Sequence, residues 1–418
     1  NPDDELSFSY GYDYGKDFEF ETSSVDTTFL EEFDGFNEID VNYRLKLNEN
    51  SRLEVGYDGR FNSSDEKMDF NISGNDWKFS GINDFSYKRD IHGFFAEYEY
   101  KLSEKFSLKP SFRMEYVDKS ISFQSQFSSV GDPRSIYADL LKIIPDTLEV
   151  IKEINLFPDF HFTFNLDPKT SIQFGISKRI ERPGRGGWAN QLRPFPRNVY
   201  NDSFIMIGEP TLRPEFSTQY EISYKSPMPM GFYYTNLYYR NVIDPIEWYS
   251  EEIVSSNNYG NTVTFRNADG GVDYGVELFF MLMGQTLGGG YNINQLKDAT
   301  GDFQLNGQNE RLNMYMRINL PEKFIKIFSY EFGFYYMKMK RPGGTLFGDK
   351  GTLWANTGIS KSLFDDRVSI SFSINNLFNM GGFSADLLEP IAEGIFQKSE
   401  IQVTRGGRMF SFSMKYNF

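Results

Sequence analysis

Residues 106–116 have the sequence FSLKPSFRMEY, and their alternation decides the fold class. Every second residue from Phe106 to Tyr116 is apolar or aromatic, and every residue between them is polar or charged. A β-strand sends successive side chains to opposite faces, whereas a helix would spread both sets around its circumference. The stretch therefore predicts a strand with one face in lipid and one in water. The predicted lipid-facing residues are Phe106, Leu108, Phe112, Met114 and Tyr116, and Arg113 and Glu115 are predicted to face the lumen.

The same period-two pattern recurs along the whole chain. It predicts about 16 strands of about 9–12 residues, the length that a tilted membrane crossing requires. Examples lie at 39–47, 94–102, 156–164, 312–320, 328–336 and 368–374. Short turns are predicted at 47–51, 103–105, 167–170 and 364–367, and long connections at 62–76, 119–152, 181–214, 243–271 and 380–405. Such alternation of loop length is typical of an antiparallel up-and-down transmembrane β-barrel. A large soluble β-sandwich also alternates, but it would not carry Lys, Arg and Glu together on its polar strand faces.

The composition agrees with a membrane barrel. Mean hydropathy is −0.49, yet 17% of the 418 residues are aromatic, with 42 Phe and 26 Tyr. A barrel combines these values because each strand has one apolar and one polar face. The sequence has no apolar run long enough for a membrane-spanning helix. The absence of cysteine excludes disulfides, and a net charge of −15 argues against a nucleic-acid partner.

The last residues indicate the cellular compartment. Aromatic or apolar residues occupy every second position up to a terminal Phe. This arrangement resembles the signal that the outer-membrane assembly machinery binds, so we expect outer-membrane localisation and contact with that machinery. The alternative is one more amphipathic strand. The predicted assembly signal consists of Phe410, Phe412, Met414, Tyr416 and Phe418.

Two connections contain candidate helices. Residues 135–154 place Leu140, Leu141, Ile144, Leu148 and Ile151 at helical spacing, with Pro145 between them. Residues 385–398 show a similar pattern. We predict short loop helices that pack over the mouth of the barrel. The second hypothesis is a docking surface for a partner protein or a surface lipoprotein.

Residues 177–224 carry a family resemblance. They contain an arginine-rich corner followed by Leu-x-Pro-Phe and then by Gly-x-Pro-x-Leu-x-Pro-Glu before the next strand. This pattern resembles the Bacteroidota outer-membrane β-barrel family related to TonB-dependent receptors, although Glu209 stands where the family has Asn. The resemblance implies a structural role for the loop. The matching residues are Arg179, Arg182, Pro183, Leu192, Pro194, Phe195, Gly208, Pro210, Leu212, Pro214 and Glu215.

The resemblance also implies a larger assembly. TonB-dependent receptors have 22 strands, an N-terminal plug and a box that contacts TonB. Residues 1–418 are therefore expected to be a single barrel domain, the C-terminal part of such a barrel, without the plug and first strands. Unpaired strand edges in lipid are too costly to persist. Either missing strands close the barrel, or this chain closes on itself as a 16-stranded pore.

Candidate catalytic and metal sites are weak, and we predict no enzyme activity and no cofactor or metal. The chain has two histidines, and His161 with Asp159 is the one possible acid–base pair. Asp298, Asp302 and Asn306 lack the spacing of a calcium loop. The glycines at 288–290 lie in a strand pattern, so they are expected to relieve crowding inside the barrel and not to bind phosphate.

Two classes of function remain. The first is import of a scarce ligand across the outer membrane in the manner of a TonB-dependent receptor. The second is a structural barrel that anchors partners in an outer-membrane complex, and a self-closed passive pore is a further alternative. The expected partners are outer-membrane lipids and lipopolysaccharide, the assembly machinery, TonB through a missing N-terminal part, and a surface lipoprotein or other outer-membrane subunits.

Overall fold

The computed structural model describes residues 4–23, 26–184, 191–196, 204–254, 259–301, 306–321, 325, 327–341, 344–346, 351–364, 366–380, 382–392, 395–404 and 407–416. The chain divides into two compact units. Unit 1 comprises Asn1–His161, Ser177–Ser217 and Asp244–Ala268, and unit 2 comprises Phe162–Ile176, Thr218–Ile243 and Asp269–Phe418. None of the helices in the described ranges is long and apolar enough to cross a membrane.

The described residues form 22 strands and one α-helix. The first half of the chain contains β1 (Glu5–Thr22), β2 (Asp26–Asn48), β3 (Ser51–Ser73), β4 (Lys78–Lys101), β5 (Phe106–Val130), α1 (Ile136–Ile143), β6 (Thr147–Asn165), β7 (Ser171–Glu181), β8 (Phe204–Met206) and β9 (Glu215–Met228). The second half contains β10 (Gly231–Ile243), β11 (Ile246–Val254), β12 (Tyr259–Asn267), β13 (Gly270–Leu282), β14 (Gln285–Lys297), β15 (Gly307–Leu320), β16 (Ser329–Arg341), β17 (Gly344–Leu346), β18 (Thr352–Leu363), β19 (Val368–Asn375), β20 (Gly382–Ala392), β21 (Ile395–Thr404) and β22 (Met409–Tyr416).

Unit 1 is built on an antiparallel meander. Strands β1 to β5 pair in chain order, each with the next, through long ladders, with an irregularity at Lys46–Asn48 in the β2–β3 pair. The helix α1 follows β5. A separate small sheet contains β11 and β12 as an antiparallel pair, with β8 parallel to β12.

Unit 2 is a second antiparallel meander. Its ladder runs through β10, β13, β14, β15, β16, β18, β19 and β22 in that order. Strands β20 and β21 form a hairpin, and the short β17 pairs with both β16 and β20. Tight turns such as Met283-Gly284 connect neighbouring strands, and both of these residues have positive φ.

Along the strands of unit 1, the face that begins apolar becomes polar, and the face that begins polar becomes apolar. On β5, Phe112, Met114 and Tyr116 are exposed, and the following residues on that face are polar, beginning with Asp118. The opposite face changes from Arg113 and other charged residues to buried apolar side chains such as Ile121 and Phe123. We call the face of Phe112 the aromatic face, the opposite one the polar face, and the level of residues 106–116 the aromatic band.

The fold class is all-β, as predicted, and 16 of the 22 strands remain when β8, β11, β12, β17, β20 and β21 are set apart. Two predictions were wrong. Strands β2 to β5 contain 23–25 residues, because they continue far beyond the aromatic band into the predicted connections at 62–76 and 119–152. Of the two predicted loop helices, the described residues contain α1 alone. Residues 147–154 belong to β6, and residues 385–392 and 395–398 belong to the β20–β21 hairpin.

Candidate functional site

A charged network crosses the polar face of β2 to β5. The guanidinium of Arg113 bonds Asp58 on β3 at 2.8 Å and Glu115 on its own strand at 2.7 Å. Arg60 bonds the same Asp58 at 2.9 Å and Glu38 on β2 at 3.1 Å. The register brings these residues onto one face within the aromatic band. A face with paired charges of both signs is the kind of surface that a water-filled lumen accommodates.

The loop after β7 is fastened to this face by Arg182 of the family motif and by Arg193, which lies between the motif residues Leu192 and Pro194. Arg182 donates a short hydrogen bond to Glu115, so it extends the charged network. Arg193 Nη1 lies 2.7 Å from Glu66 Oε2, and its Nε donates to the carbonyl of Phe195. Both members of the Arg193–Glu66 pair are buried. These two attachments hold the loop against strands that lie far away in sequence.

An apolar cluster lies beyond the aromatic band, around the Arg193–Glu66 pair. Leu192, Phe195 and Leu212 of the loop pack against Tyr137 of α1 and the polar face of the strands. The rings of Phe195 and Phe123 stack at 5.6 Å between centroids. Phe265 of β12 also belongs to the cluster, and its members on β2 to β5 are Leu30, Met68, Phe70, Ile72, Phe79, Phe85, Tyr87, Ile121 and Phe123. The loop therefore completes a hydrophobic core with the extended strands.

Tyr137 ties α1 into this core by a polar contact. Asn83 Nδ2 donates to the Tyr137 hydroxyl at 2.9 Å, and Ser125 donates to Asn83 Oδ1 at 2.7 Å. All three side chains lie beyond the aromatic band. Burial raises the pKa of Tyr137 far above its usual range, so this hydroxyl stays neutral.

The remaining motif residues shape the loop. Gly208 N donates to the carbonyl of Arg193 at 2.6 Å, which joins the two halves of the motif. Glu215, at the start of β9, accepts a bond from the backbone of Ile246 at 3.4 Å. Arg179 is exposed at the end of β7 and donates to Ser177. The prolines Pro183, Pro194 and Pro210 are buried, and Pro214 is half-buried. The structure thus brings most of the motif together in unit 1.

The predicted lipid-facing residues share the aromatic face of β5. Phe106, Phe112, Met114 and Tyr116 are exposed there and Leu108 is half-buried, whereas Glu115 is buried on the opposite face. In the predicted assembly signal, Phe410, Phe412, Met414 and Tyr416 are exposed on β22, and Phe418 lies outside the described residues. Contact with lipid and with the assembly machinery stays a prediction for both sets.

The described residues of the candidate acid–base and metal sites form hydrogen bonds or ion pairs with neighbouring side chains. His161 Nε2 lies 3.1 Å from Asp159, so the two side chains of the possible acid–base pair are within hydrogen-bond distance. His92 Nδ1 lies 2.8 Å from the Tyr57 hydroxyl on the aromatic face. Carboxylates of Glu38, Asp40 and Asp58 also approach one another, but Arg60 and Arg113 already neutralise two of them. Asp298 and Asn306 bond each other in a loop, and Asp302 lies outside the described residues.

Unit 2 has a polar groove of its own. The groove has a volume of about 290 Å³ and is lined by Tyr238, Arg240, Val276, Asp273, Glu277, Gly290, Tyr291, Asn292, Arg311 and Asn313. Arg240 is its most connected side chain, with bonds to Gln219 at 2.8 Å and to Asp273 at 3.4 Å. A Cβ on Gly288 would lie 2.4 Å from the ring of Tyr315, and one on Gly289 would lie 2.6 Å from the carbonyl of Asn313, so these glycines relieve crowding against the neighbouring strand.

Comparison with known proteins identifies the family. Residues 1–416 match the model of the outer membrane protein beta-barrel family. The chain belongs to this family. The family match places it in the bacterial outer membrane, as the terminal strand predicts. No curated protein matches the sequence.

Solved structures show the same fold at low sequence identity. The ferric yersiniabactin uptake receptor FyuA from Yersinia pestis is 11% identical with a TM-score of 0.61, over 100% of this chain and 59% of that one. The ferric citrate transporter FecA in its unliganded form is 10% identical with a TM-score of 0.59, over 99% of this chain and 59% of that one. The family member described here thus spans less than two thirds of either protein. The bacterial group that the loop motif suggests stays a prediction.

Sequence reasoning missed the buried Glu66 and Lys119 and the half-buried Arg89 of unit 1. These residues fell in predicted loops or beyond the predicted strand ends. Their positions keep the period-two phase of the polar face of β3, β4 and β5. Continuing that phase past the aromatic band would have placed all three on the polar face.

Proposed function

We propose that this outer-membrane barrel imports a scarce ligand in the manner of a TonB-dependent receptor. The proposal rests on the ordered structure that the extended strands, the loop and α1 form beyond the aromatic band. On β3, residues 62–73 extend roughly 40 Å along the strand past the band, at about 3.4 Å per residue. With the loop and α1 they form an ordered apolar core. A passive pore does not need such a structure, whereas a receptor uses one to position its capture surface.

The similar solved structures support the same class. FyuA is named an uptake receptor and FecA a transporter, and each is named for a ferric chelate. The polar face of unit 1 and the groove of unit 2 offer charged and amide groups for a polar ligand. Contact with TonB through further parts of the complete protein belongs to this proposal, as does the absence of enzyme activity.

A scaffold role is the second candidate, and one patch favours it. Leu148 and Val150 on β6 are exposed beyond the ion pair of Lys152 with Asp118. At this level the same face of β5 carries polar residues. Exposed apolar side chains outside the aromatic band suit contact with another subunit or a lipoprotein.

The experiment uses the complete protein in its native cell. Cells with and without the gene are supplied with radiolabelled ferric citrate, cobalamin or a labelled oligosaccharide, in the presence or absence of a protonophore. Import predicts gene-dependent uptake of one probe that the protonophore abolishes. Uptake of none of the probes, together with loss of copurifying envelope proteins on deletion, would favour the scaffold. Steady salt conductance of the purified protein in planar bilayers would favour a passive pore.

A further inference from the structure

Two cations face each other just beyond the aromatic band of unit 1. Arg89 on β4 and Lys119 on β5 are direct cross-strand partners on the polar face. Like charges placed directly opposite each other destabilise a sheet. Lys119 is also buried, with 6% of its surface exposed. Such an arrangement calls for a compensating negative charge.

The described part of the protein does not supply that charge at contact distance. Neither Arg89 nor Lys119 has a carboxylate within the 4.0 Å of an ion pair among the described residues. Glu149 and Glu153 of β6 act on Lys119 from farther away. Glu153 bonds Asn155 at 3.0 Å. Neither glutamate therefore pairs directly with Lys119, and the buried Oε2 of Glu149 has no hydrogen-bond partner in the described structure.

A third cation joins the pair from the loop. Arg182 interacts electrostatically with Arg89, and its terminal nitrogen is bonded to Glu115. The Nε atoms of both Arg89 and Arg182 are buried and have no hydrogen-bond partner in the described structure. A buried donor without a partner is costly, so these two atoms mark an unfilled position for an acceptor.

We propose that Arg89, Lys119 and Arg182 form a binding site for a small anion with carboxylate or phosphate oxygens. Guanidinium groups donate paired hydrogen bonds to such oxygens, and an ammonium group adds a compact charge. The anion would satisfy the two Nε donors and relieve the repulsion between Arg89 and Lys119. The site lies on the polar face, opposite the aromatic face, so its ligand is a soluble anion and not a lipid headgroup.

The protonation of Lys119 agrees with this geometry. Burial lowers the pKa of Lys119, and the nearby charge of Arg89 lowers it further, while Glu149 and Glu153 act in the opposite direction. A bound anion would restore the preference for the charged form. The site does not depend on the proposed import function, because a barrel with any role can hold an anion between its strands and a loop.

The test is binding by the complete purified protein. Titration calorimetry in detergent uses sodium citrate and sodium phosphate as separate probes, each against sodium chloride at equal ionic strength. We expect saturable binding of at least one probe and at least tenfold weaker binding by Lys119→Met. The matched control is Lys88→Met. Lys88 precedes Arg89, lies on the aromatic face of β4 and is paired with Asp90 at 2.9 Å, so its replacement should leave binding unchanged.

A second variant covers the case in which Lys119→Met does not fold. Arg89→Lys keeps the charge but removes the Nε donor and the guanidinium fork, and it should weaken the same probe several-fold. Thermal unfolding of the unaltered protein gives a readout without any variant, since the bound probe should raise the unfolding temperature. The proposal would be wrong if neither probe binds or shifts the unfolding temperature, or if the folded variants bind the probe as well as the unaltered protein does. The Nε donors would then be bonded to water.

Discussion

Arg193 and Glu66 lie 127 positions apart in sequence, yet their side chains meet at 2.7 Å and both are buried in the apolar cluster of unit 1. This pair fastens the family loop to β3. The same arginine also bonds the carbonyl of Phe195, whose ring belongs to the cluster. One side chain therefore links the loop backbone, the hydrophobic core and the strand.

Breaking this buried pair from one side should be costly. Glu66→Gln removes the negative charge that faces the buried guanidinium of Arg193, so we expect a loss of about 3–5 kcal/mol in the free energy of unfolding. Urea unfolding of the protein in lipid vesicles measures this loss. The cluster around the pair should loosen at the same time, which limited proteolysis of the loop would detect.

The control for this prediction is the double variant Glu66→Leu with Arg193→Met. Apolar side chains of similar volume fit the surrounding cluster, so the double variant should be more stable than Glu66→Gln alone. If Glu66→Gln unfolds at the same urea concentration as the unaltered protein, the pair does not fasten the loop.

The strand register of β5 gives a prediction with matched positions. An arginine on a lipid-exposed face near the membrane midplane costs about 2–4 kcal/mol, and one in a lumen costs little. Phe112→Arg should therefore reduce the folded yield, and Ser111→Arg should be tolerated. A one-residue slip would exchange the two outcomes. The shift between unboiled and boiled samples on SDS gels measures the folded fraction.

Cysteine labelling tests the same register, because the chain has no native cysteine. Cysteines at 111 and 113 should react with a water-soluble thiol reagent, and those at 112 and 114 should be protected by lipid. The alternation alone predicts reaction at 115 as well. The structure changes that expectation, since Glu115 is 5% exposed beneath Arg182. A reactive cysteine at 115 would contradict the position of the loop.

The strands within the aromatic band could be predicted from sequence because lipid and water impose opposite demands on the two faces. Beyond Tyr116 the polarity of the two faces is reversed. Water surrounds the face that carries Asp118, and a protein core forms on the face that carries Ile121 and Phe123. The period of two continues but its polarity changes, so the extension of β5 was mistaken for a loop. The same change of polarity occurs along β3, so residues 62–73 were also predicted to belong to a loop.

The helix predictions failed for a related reason. Leu148 and Ile151 have helical spacing, but they lie on opposite faces of β6, with Leu148 exposed and Ile151 half-buried. Local spacing could not reveal that β6 is already a strand at this point. The loop motif was recognised, but its partners Glu66 and Glu115 could not be predicted, because contacts across 67 and 127 positions depend on tertiary packing.

The terminal strand β22 should be needed for insertion. Phe410, Phe412 and Tyr416 are exposed on one face of β22, and the ring of Phe410 stacks on that of Phe372 at 6.3 Å. Replacing Phe412 and Tyr416 by Ser removes on the order of 2 kcal/mol of apolar transfer energy per ring. We expect several-fold less protein in the outer-membrane fraction, measured by immunoblot. Ser413→Ala on the other face is the control, and an equal loss in that variant would mean that the aromatic pattern is incidental.

The buried lysine of unit 1 makes the stability depend on pH in a definite direction. Because burial lowers the pKa of Lys119, the folded protein binds this proton less tightly than the unfolded chain does. In the absence of a bound anion, the free energy of unfolding should therefore rise as the pH rises from the folded pKa to the ordinary lysine value.

Lys119→Met removes this titration. Burial and the charge of Arg89 disfavour the charged lysine, while Glu149 and Glu153 favour it, and the net effect is the lowered pKa. The variant should be more stable than the unaltered protein near pH 7, and the difference should shrink toward about pH 10. Urea unfolding at a series of pH values in chloride measures both curves. Adding citrate should reverse the difference at pH 7, since only the unaltered protein gains the anion. A difference that grows with pH would show that Lys119 is stabilised in its charged form by the protein alone.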